Sequence, residues 1–344
     1  MKIALDISPT QTGHRVRGIG SYTQKLADEF KKGDWDIDFE FFETPGSPPP
    51  ADVIHYPYFD LFAHSLPNSK KGSRVVTIHD VIPLVFPQHF PVGIRGFINL
   101  FFQKRALRNC DLVICDSETS KKDIADKLSY PEEKIKVVYL APGENFKKEN
   151  NIEKLKVISK KYNLPSNFAL YVGDVNWNKN IEGLLKSIKI AKIQLVMVGA
   201  SLKDNNIPET QNINKLIHKL KLEKKIYKLG YISEEDLISI YNLASVCVLP
   251  SYYEGFGLPV LESMACGTPV VCSNVASLSE IGGNAAIFCD PEDPVDIAKK
   301  ISRVLNLKTL QKQGLSIKCA TRASSFSWSK VARETIDVYK SANA

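Results

Sequence analysis

Residues 167–200 read "NFALYVGDVNWNKNIEGLLKSIKIAKIQLVMVGA". The first segment, "NFALYVGDV", has the apolar run of a buried strand. "NIEGLLKSIKIA" has helical periodicity, and "IQLVMVGA" is a second buried strand. Buried strands joined through a helix belong to a parallel sheet covered on both faces. The alternation continues downstream: "NINKLIHKLK" and "SEEDLISIYNLA" are helices, and "KIYKLGYI", "SVCVLPS" and "TPVVCS" are strands. It is also present upstream, where "KIALDI", "DVIHYPY", "SRVVTIHD", "DLVICDS" and "KIKVVYLA" are short apolar strands with polar or helical sequence between them. A charged, helix-prone stretch from Lys147 to Tyr162, centred on "KKENNIEKLK", separates the two runs, and a linker is expected near residues 147–166. The expected architecture is α/β, with one doubly wound domain over 1–148 and another over 149–326. A terminal helix over 327–344 is entered through Ser327, a plausible cap, with Trp328, Val331, Ile336 and Tyr339 on its apolar face.

Bulk properties agree with two cores. A chain of 344 residues is too long for one ordinary core, and 44% apolar with 24% charged residues is a globular balance. No apolar run reaches membrane-spanning length, and Asp6 interrupts "MKIALDIS" too early for a secretory signal. The seven cysteines are an odd number, lie mostly in apolar runs and form no C-x-x-C pair. They read as reduced core residues of a cytoplasmic protein. Residues 1–150 carry 20 basic and 20 acidic side chains, leaving 25 and 18 in the remainder. A basic second half suits an anionic ligand, and it equally suits solvated helix faces.

Ligands of doubly wound domains bind beyond the carboxyl ends of the strands, so residues just after each apolar run matter most. After the first strand, Gly18 and Gly20 open a helix whose free N–H groups suit a phosphate; a plain glycine turn reads equally well. His79 ends "VVTIH", where it can donate to a ligand or act as a base; the alternative is a histidine held by local backbone. Lys179 precedes a helix start and suits a diphosphate, or is simply solvated. The stretch "SYYEGFGLPVLESMACGTPVVC", Ser251–Cys272, places Glu254 at a strand end and Glu262 in or near the first turn of the next helix. Gly255 and Gly257 free the intervening turn, and Pro259 is tolerated at a helix start. Two carboxylates can accept from sugar hydroxyls, while the N–H groups between them donate to phosphate. The competing reading is a dipole-stabilising Glu262 with an exposed Glu254.

The Glu-x7-Glu spacing around Gly-Phe-Gly-Leu-Pro resembles the retaining glycosyltransferases of family 4, with the GT-B fold of two Rossmann-like domains facing across a cleft. The resemblance runs through "RGIGSYT", "TIHDVIPLVFP", "VICDSETSKKDI", "VVYLAPGENF", "LYVGDVNWNKN" and "FSWSKVA". It implies that Glu254 meets the transferred sugar and Glu262 the ribose. Backbone at Gly255, Phe256, Gly257 and Leu258 would meet sugar and diphosphate. Lys179 would neutralise the diphosphate beneath Gly20, with His79 near the sugar. It further implies an acceptor-binding first domain, a nucleotide-sugar-binding second domain, and a last helix crossing back to the first. Many members carry an arginine where this chain has Asp174 or Asn178.

The resemblance implies a hexose transferred with retention from a nucleotide-sugar, GDP-mannose first and a UDP-sugar second, to a glycan or lipid-linked glycan. No cofactor, metal or nucleic acid is expected. A nucleotide-sugar epimerase or a silent nucleotide-sugar-binding protein is the alternative. The D-x-D pairs among Asp34, Asp36 and Asp38 alternate strictly with apolar residues, so they read as the wet face of a strand. "PVGIRGFINLFFQKRALRNCD" joins Ile94, Ile98, Phe101 and Phe102 to Arg95, Lys104, Arg105 and Arg108. A core helix with a basic outer face is the expectation; peripheral contact with an anionic membrane is the alternative.

Overall fold

The computed structural model of the chain describes residues 1–11, 18–68 and 72–344. It divides into one unit made of Met1–Leu140 with Ser327–Ala344, and another made of Ala141–Phe326.

The first unit contains β1 (Lys2–Asp6), α1 (Gly18–Lys32), β2 (Asp38–Phe42), β3 (Val53–Tyr56), β4 (Ser73–Thr77), α2 (Ile82–Val85), α3 (Ile94–Leu107), β5 (Leu112–Cys115), α4 (Glu118–Leu128) and β6 (Ile135–Val137). The second contains α5 (Ile152–Lys161), β7 (Phe168–Val172), α6 (Ile181–Ala191), β8 (Gln194–Val198), α7 (Pro208–Leu220), β9 (Ile226–Gly230), α8 (Glu234–Leu243), β10 (Val246–Leu249), α9 (Leu258–Ala265), β11 (Val270–Ser273), α10 (Ala276–Gly282), β12 (Ile287–Cys289), α11 (Pro294–Leu305) and α12 (Thr309–Ala323). The final helix, α13 (Trp328–Ala342), belongs to the first unit.

Each unit is built on a six-stranded sheet, ordered β2-β1-β3-β4-β5-β6 and β12-β11-β10-β7-β8-β9. Every pairing is parallel. Strands buried on both faces need continuous apolar sequence, and β3, β5, β10 and β11 are buried at every residue. Polar caps set several helix starts: Ser117 accepts from the Ser120 N–H, Ser233 from Asp236 and Ser327 from Lys330. All seven cysteines are free and buried. No described helix is long and apolar enough to cross a membrane.

α13 buries Trp328, Val331, Ile336 and Tyr339 and packs against α1, β4 and β5. The helix-prone stretch read as a linker forms α5, which packs on α8 within the second unit. The boundary lies between Leu140 and Ala141, where the sequence reading put it after residue 148. The alternating segment "DWDIDFEFFE" becomes strand only at Asp38, because Asp36 takes a left-handed φ of 50°. Asp34, Asp36 and Asp38 are exposed as expected.

The expectation for α3 fails. Ile94, Phe97, Ile98, Phe101 and Phe102 are 49–81% exposed, whereas Gln103, Ala106 and Leu107 are buried. Side chains on the inner face meet the polar loop after β3. Asn99 Nδ2 donates to the Phe62 carbonyl at 2.8 Å, and Gln103 Nε2 donates to the Asp60 carbonyl at 2.9 Å. The inner face thus combines these polar anchors with Leu100, Ala106 and Leu107, which pack on the core, and the other apolar stripe is left outward.

Candidate active site

The second sheet places β10 beside β7, and the chain winds outward in opposite directions from this pair. Loops leaving their carboxyl ends must part, which opens a crevice at the switch point. One loop delivers Lys179 at the end of a 3-10 turn, Trp177–Lys179. The other delivers Glu254, and the two side chains meet although 75 residues separate them. Lys179 Nζ lies 2.9 Å from Glu254 Oε1 and 2.7 Å from Oε2. Ser251 Oγ donates to Oε1 at 2.7 Å. Glu254 is only 5% exposed. The ion pair and the hydroxyl supply the polar partners that a carboxylate so buried requires.

The loops are fastened around that pair. Tyr252 N donates to the Asn178 carbonyl at 2.8 Å, and Asn178 Nδ2 donates to the Tyr253 carbonyl at 2.9 Å. Asn180 caps α6 by accepting from the Gly183 N–H at 3.0 Å, while its Nδ2 serves the Pro250 and Pro291 carbonyls. Asn180 has φ 49°, a left-handed conformation that asparagine tolerates better than most residues. Ser277 Oγ stands 2.8 Å from the carbonyls of both Glu254 and Phe256. Trp177 stacks on Tyr252 with ring centroids 5.1 Å apart.

Gly255, Phe256 and Gly257 are buried, and Leu258 begins α9. Gly257 precedes α9 at φ 108°, and a Cβ there would stand 2.6 Å from Leu278 Cδ2. Only glycine satisfies both conditions. Glu262 falls in the second turn of α9 rather than the first, so the helix dipole is not its principal partner. Tyr241 OH donates to Glu262 Oε2 at 2.8 Å. Burial, with the Glu262 charge beside it, raises the Tyr241 pKa well above its ordinary value, which keeps the phenol a donor. Asp174 turns its carboxylate to the Val175 N–H. Neither Asp174 nor Asn178 supplies the cation that many resembling sequences have there.

In the first unit Gly18 and Gly20 lie in the opening turn of α1. Gly18 is exposed, with open space where a Cβ would go. The preceding residues, His14 and Arg17 among them, lie outside the described residues. His79 follows β4, and its Nδ1 lies 2.8 Å from Asp116 Oδ2, just after β5. The Tyr22 ring meets the imidazole edge-on with centroids 4.8 Å apart. His79 Nε2 and Asp116 Oδ1 find no hydrogen-bond partner among the described residues. Burial lowers the His79 pKa, but the charge and hydrogen bond of Asp116, with Asp80 behind them, outweigh it and raise the value. His55 behaves oppositely. It is sealed between Tyr339 OH at 2.7 Å and Thr77 Oγ1 at 2.8 Å, and burial with the nearby His79 charge pushes its pKa down to about 3.

The first sheet has its own switch point, between β1 and β3. A crevice of about 400 Å³ lies there, lined by Asp6, Gly46, Tyr58 and His64 among others. Burial raises the Asp6 pKa, while the Ser8 N–H at 2.8 Å opposes that rise. Among the described residues no group of three His, Cys, Asp or Glu side chains is placed to hold a metal.

The second unit thus brings together Lys179, Glu254 and the glycine turn, and the first unit separately pairs His79 with Asp116. Sequence reasoning missed Asn180, Ser251, Tyr241 and Asp116, and read Asn178 only as a missing cation. The available signal was position alone, since each follows or supports a strand end.

Residues 151–316 match the model of "Glycosyl transferases group 1", and residues 49–141 match "Glycosyltransferase Family 4". The chain is 31% identical over 298 residues to "O-antigen chain mannosyltransferase B" of Escherichia coli, covering 84% of this chain and 74% of that one. Among solved structures it is similar to sucrose-phosphate synthase from Thermosynechococcus elongatus. The TM-score is 0.75 at 21% identity, over 99% of this chain and 98% of the other. It is likewise similar to Anabaena Alr3699/HepE in complex with UDP-glucose, with a TM-score of 0.74 at 18% identity, over 99% and 100%. The structural likenesses establish the GT-B fold.

Proposed function

This chain belongs to the group 1 and family 4 glycosyltransferases, and from that premise we propose that it moves a hexose, mannose first, from a nucleotide-sugar to a hydroxyl of a glycan or lipid-linked glycan. GDP-mannose is the first donor candidate and a UDP-sugar the second. The name of the Escherichia coli relative supports mannose. Transfer proceeds with retention and without a metal ion.

The carrying observation is the Lys179–Glu254 pair at the switch point. Departure of a nucleoside diphosphate leaves negative charge on the phosphate and positive charge on the sugar ring. Lys179 and the N–H groups of the Gly255–Leu258 turn stabilise the first; fixed donors of this kind contribute about 10²–10³ in rate. Glu254, held by Ser251 Oγ, accepts from sugar hydroxyls. The incoming phosphate shares the Lys179 ammonium with Glu254, so one cation serves both ends of the breaking bond. Glu262, oriented by Tyr241, takes the ribose hydroxyls. The family resemblance assigns His79 a role toward the sugar and Gly20 one toward the diphosphate. Retention follows a same-face route in which the departing phosphate accepts the acceptor proton. The acceptor occupies the first unit.

A thermal-shift screen of GDP, UDP and their sugars, run in chelator, tests the reading. GDP or GDP-mannose is expected to raise Tm most. Lys179→Ala is expected to lose most of that shift and about a hundredfold or more of transfer. Lys179→Ala also strands a buried carboxylate at a cost of about 3 kcal/mol, so Lys179→Ala/Glu254→Gln should recover stability without activity. Near-normal turnover of Lys179→Ala at low donor concentration overturns the role of Lys179, and abolition of activity by chelator overturns the metal-free mechanism. Donor binding with no transfer to any acceptor points instead to a silent nucleotide-sugar-binding protein.

A further inference from the structure

The stripe Ile94, Phe97, Ile98, Phe101 and Phe102 follows the spacing that normally turns a helix face toward a core, yet here it faces solvent. Its length is about 12 Å at 1.5 Å rise per residue. One and two turns further along the same face stand exposed Arg105 and Arg108, with exposed Arg95 beside its start. From Val81 to Cys110 the chain contains no Asp or Glu. Asp60, in the adjoining loop, has its carboxylate taken up by Phe62 N, Ala63 N and Tyr58 OH. Lys104 is also committed, donating to the Lys127 carbonyl at the end of α4.

We propose that this outer face of α3 rests on an anionic lipid surface. The five apolar side chains enter the headgroup–acyl boundary, while Arg95, Arg105 and Arg108 reach phosphate at its rim. Charge selects this occupant over a second copy of the chain. A two-fold contact through this face would bring only cations to its rim, whereas an anionic bilayer complements them. The crevice of the first unit supplies a use for the placement. His64 lines that crevice, and its ring lies 6.1 Å from that of Phe102 on the stripe. An acceptor anchored in the bilayer is thereby presented beside the crevice. This last step rests on the glycosyltransferase reading; the surface assignment does not.

Co-sedimentation of the full chain with phosphatidylcholine vesicles, with and without phosphatidylglycerol, tests the proposal. Binding is expected to the phosphatidylglycerol-containing vesicles and to weaken with salt. Phe97→Ser/Phe101→Ser and Arg105→Glu/Arg108→Glu should each weaken it on the order of tenfold or more. These residues are exposed, so Tm and the nucleotide-induced thermal shift should stay at their parental values. If either double variant fails to fold, Phe101→Trp provides the readout: its added fluorescence is expected to be quenched by brominated lipid. Absence of binding to phosphatidylglycerol vesicles overturns the proposal, as does binding indifferent to these substitutions. A dimer that Phe97→Ser/Phe101→Ser dissociates would overturn it in favour of a second copy. A chain that binds vesicles but no nucleoside diphosphate would sink the donor reading and leave this one standing.

Discussion

At the scale of single residues, the pair His79–Asp116 carries a pH signature. The raised His79 pKa means the folded chain holds a proton that the unfolded chain releases near 6.5. Its stabilisation is therefore full below about 6.5 and is lost as pH rises through the higher folded value. Asp116→Asn removes the larger of the opposing influences and leaves burial set against only the weaker ones of Asp80 and the Pro57 backbone. The His79 ring protons should then titrate at lower pH than in the parent in an NMR pH series, and an unchanged midpoint would refute the assignment of Asp116 as the orienting group. Asp116 was not legible as such a partner. It is one of many acids after a strand, and nothing in "VICDSE" indicates that β4 and β5 are neighbours. Asn178 shows the same limit from the other side. Sequence reading weighed it as a missing cation, whereas its amide fastens the two loops that carry Lys179 and Glu254.

At the scale of elements, the strands were legible because parallel strands buried on both faces leave short continuous apolar runs, rich in Val and Ile and bounded by polar or glycine-containing turns. The orientation of α3 was not. Helical spacing identifies an apolar stripe but does not say which side of the helix the fold turns inward. Here Leu100, Ala106 and Leu107 take the core, and Asn99 and Gln103 on the same side bond to a loop the sequence pattern does not locate. The turn into α9 was legible in composition and is strict in geometry. Gly257→Ala would place a methyl group against Leu278 at a φ that L-residues avoid. It should cost about 1–3 kcal/mol by calorimetry and weaken nucleoside diphosphate binding in the same preparation. Retention of both values would show that the turn relaxes freely. The position of Glu262, just past the first turn, follows from the same place: α9 begins at Leu258, immediately after that glycine.

At the scale of the molecule, the first unit is assembled from both ends of the chain. Trp328, Val331, Ile336 and Tyr339 of α13 are buried there, and full burial of an apolar side chain is worth about 1.5–3 kcal/mol. Four of them together rival the whole margin of an ordinary domain, about 5–15 kcal/mol. A chain stopped at Phe326 should lose the calorimetric transition of the first unit and keep that of the second; survival of both transitions would show that α13 is dispensable. Its loss also removes Tyr339 from His55 Nδ1 and exposes an imidazole that the fold keeps neutral. The same topology imposes an order on biosynthesis. Residues 141–326 leave the ribosome as an uninterrupted block and can close on themselves during translation, as domains commonly do. Residues 1–140 emerge earlier yet must wait, with one side of their core uncovered, until the last helix arrives. The unit made first is therefore finished last, and during that interval it is the part most in need of a chaperone.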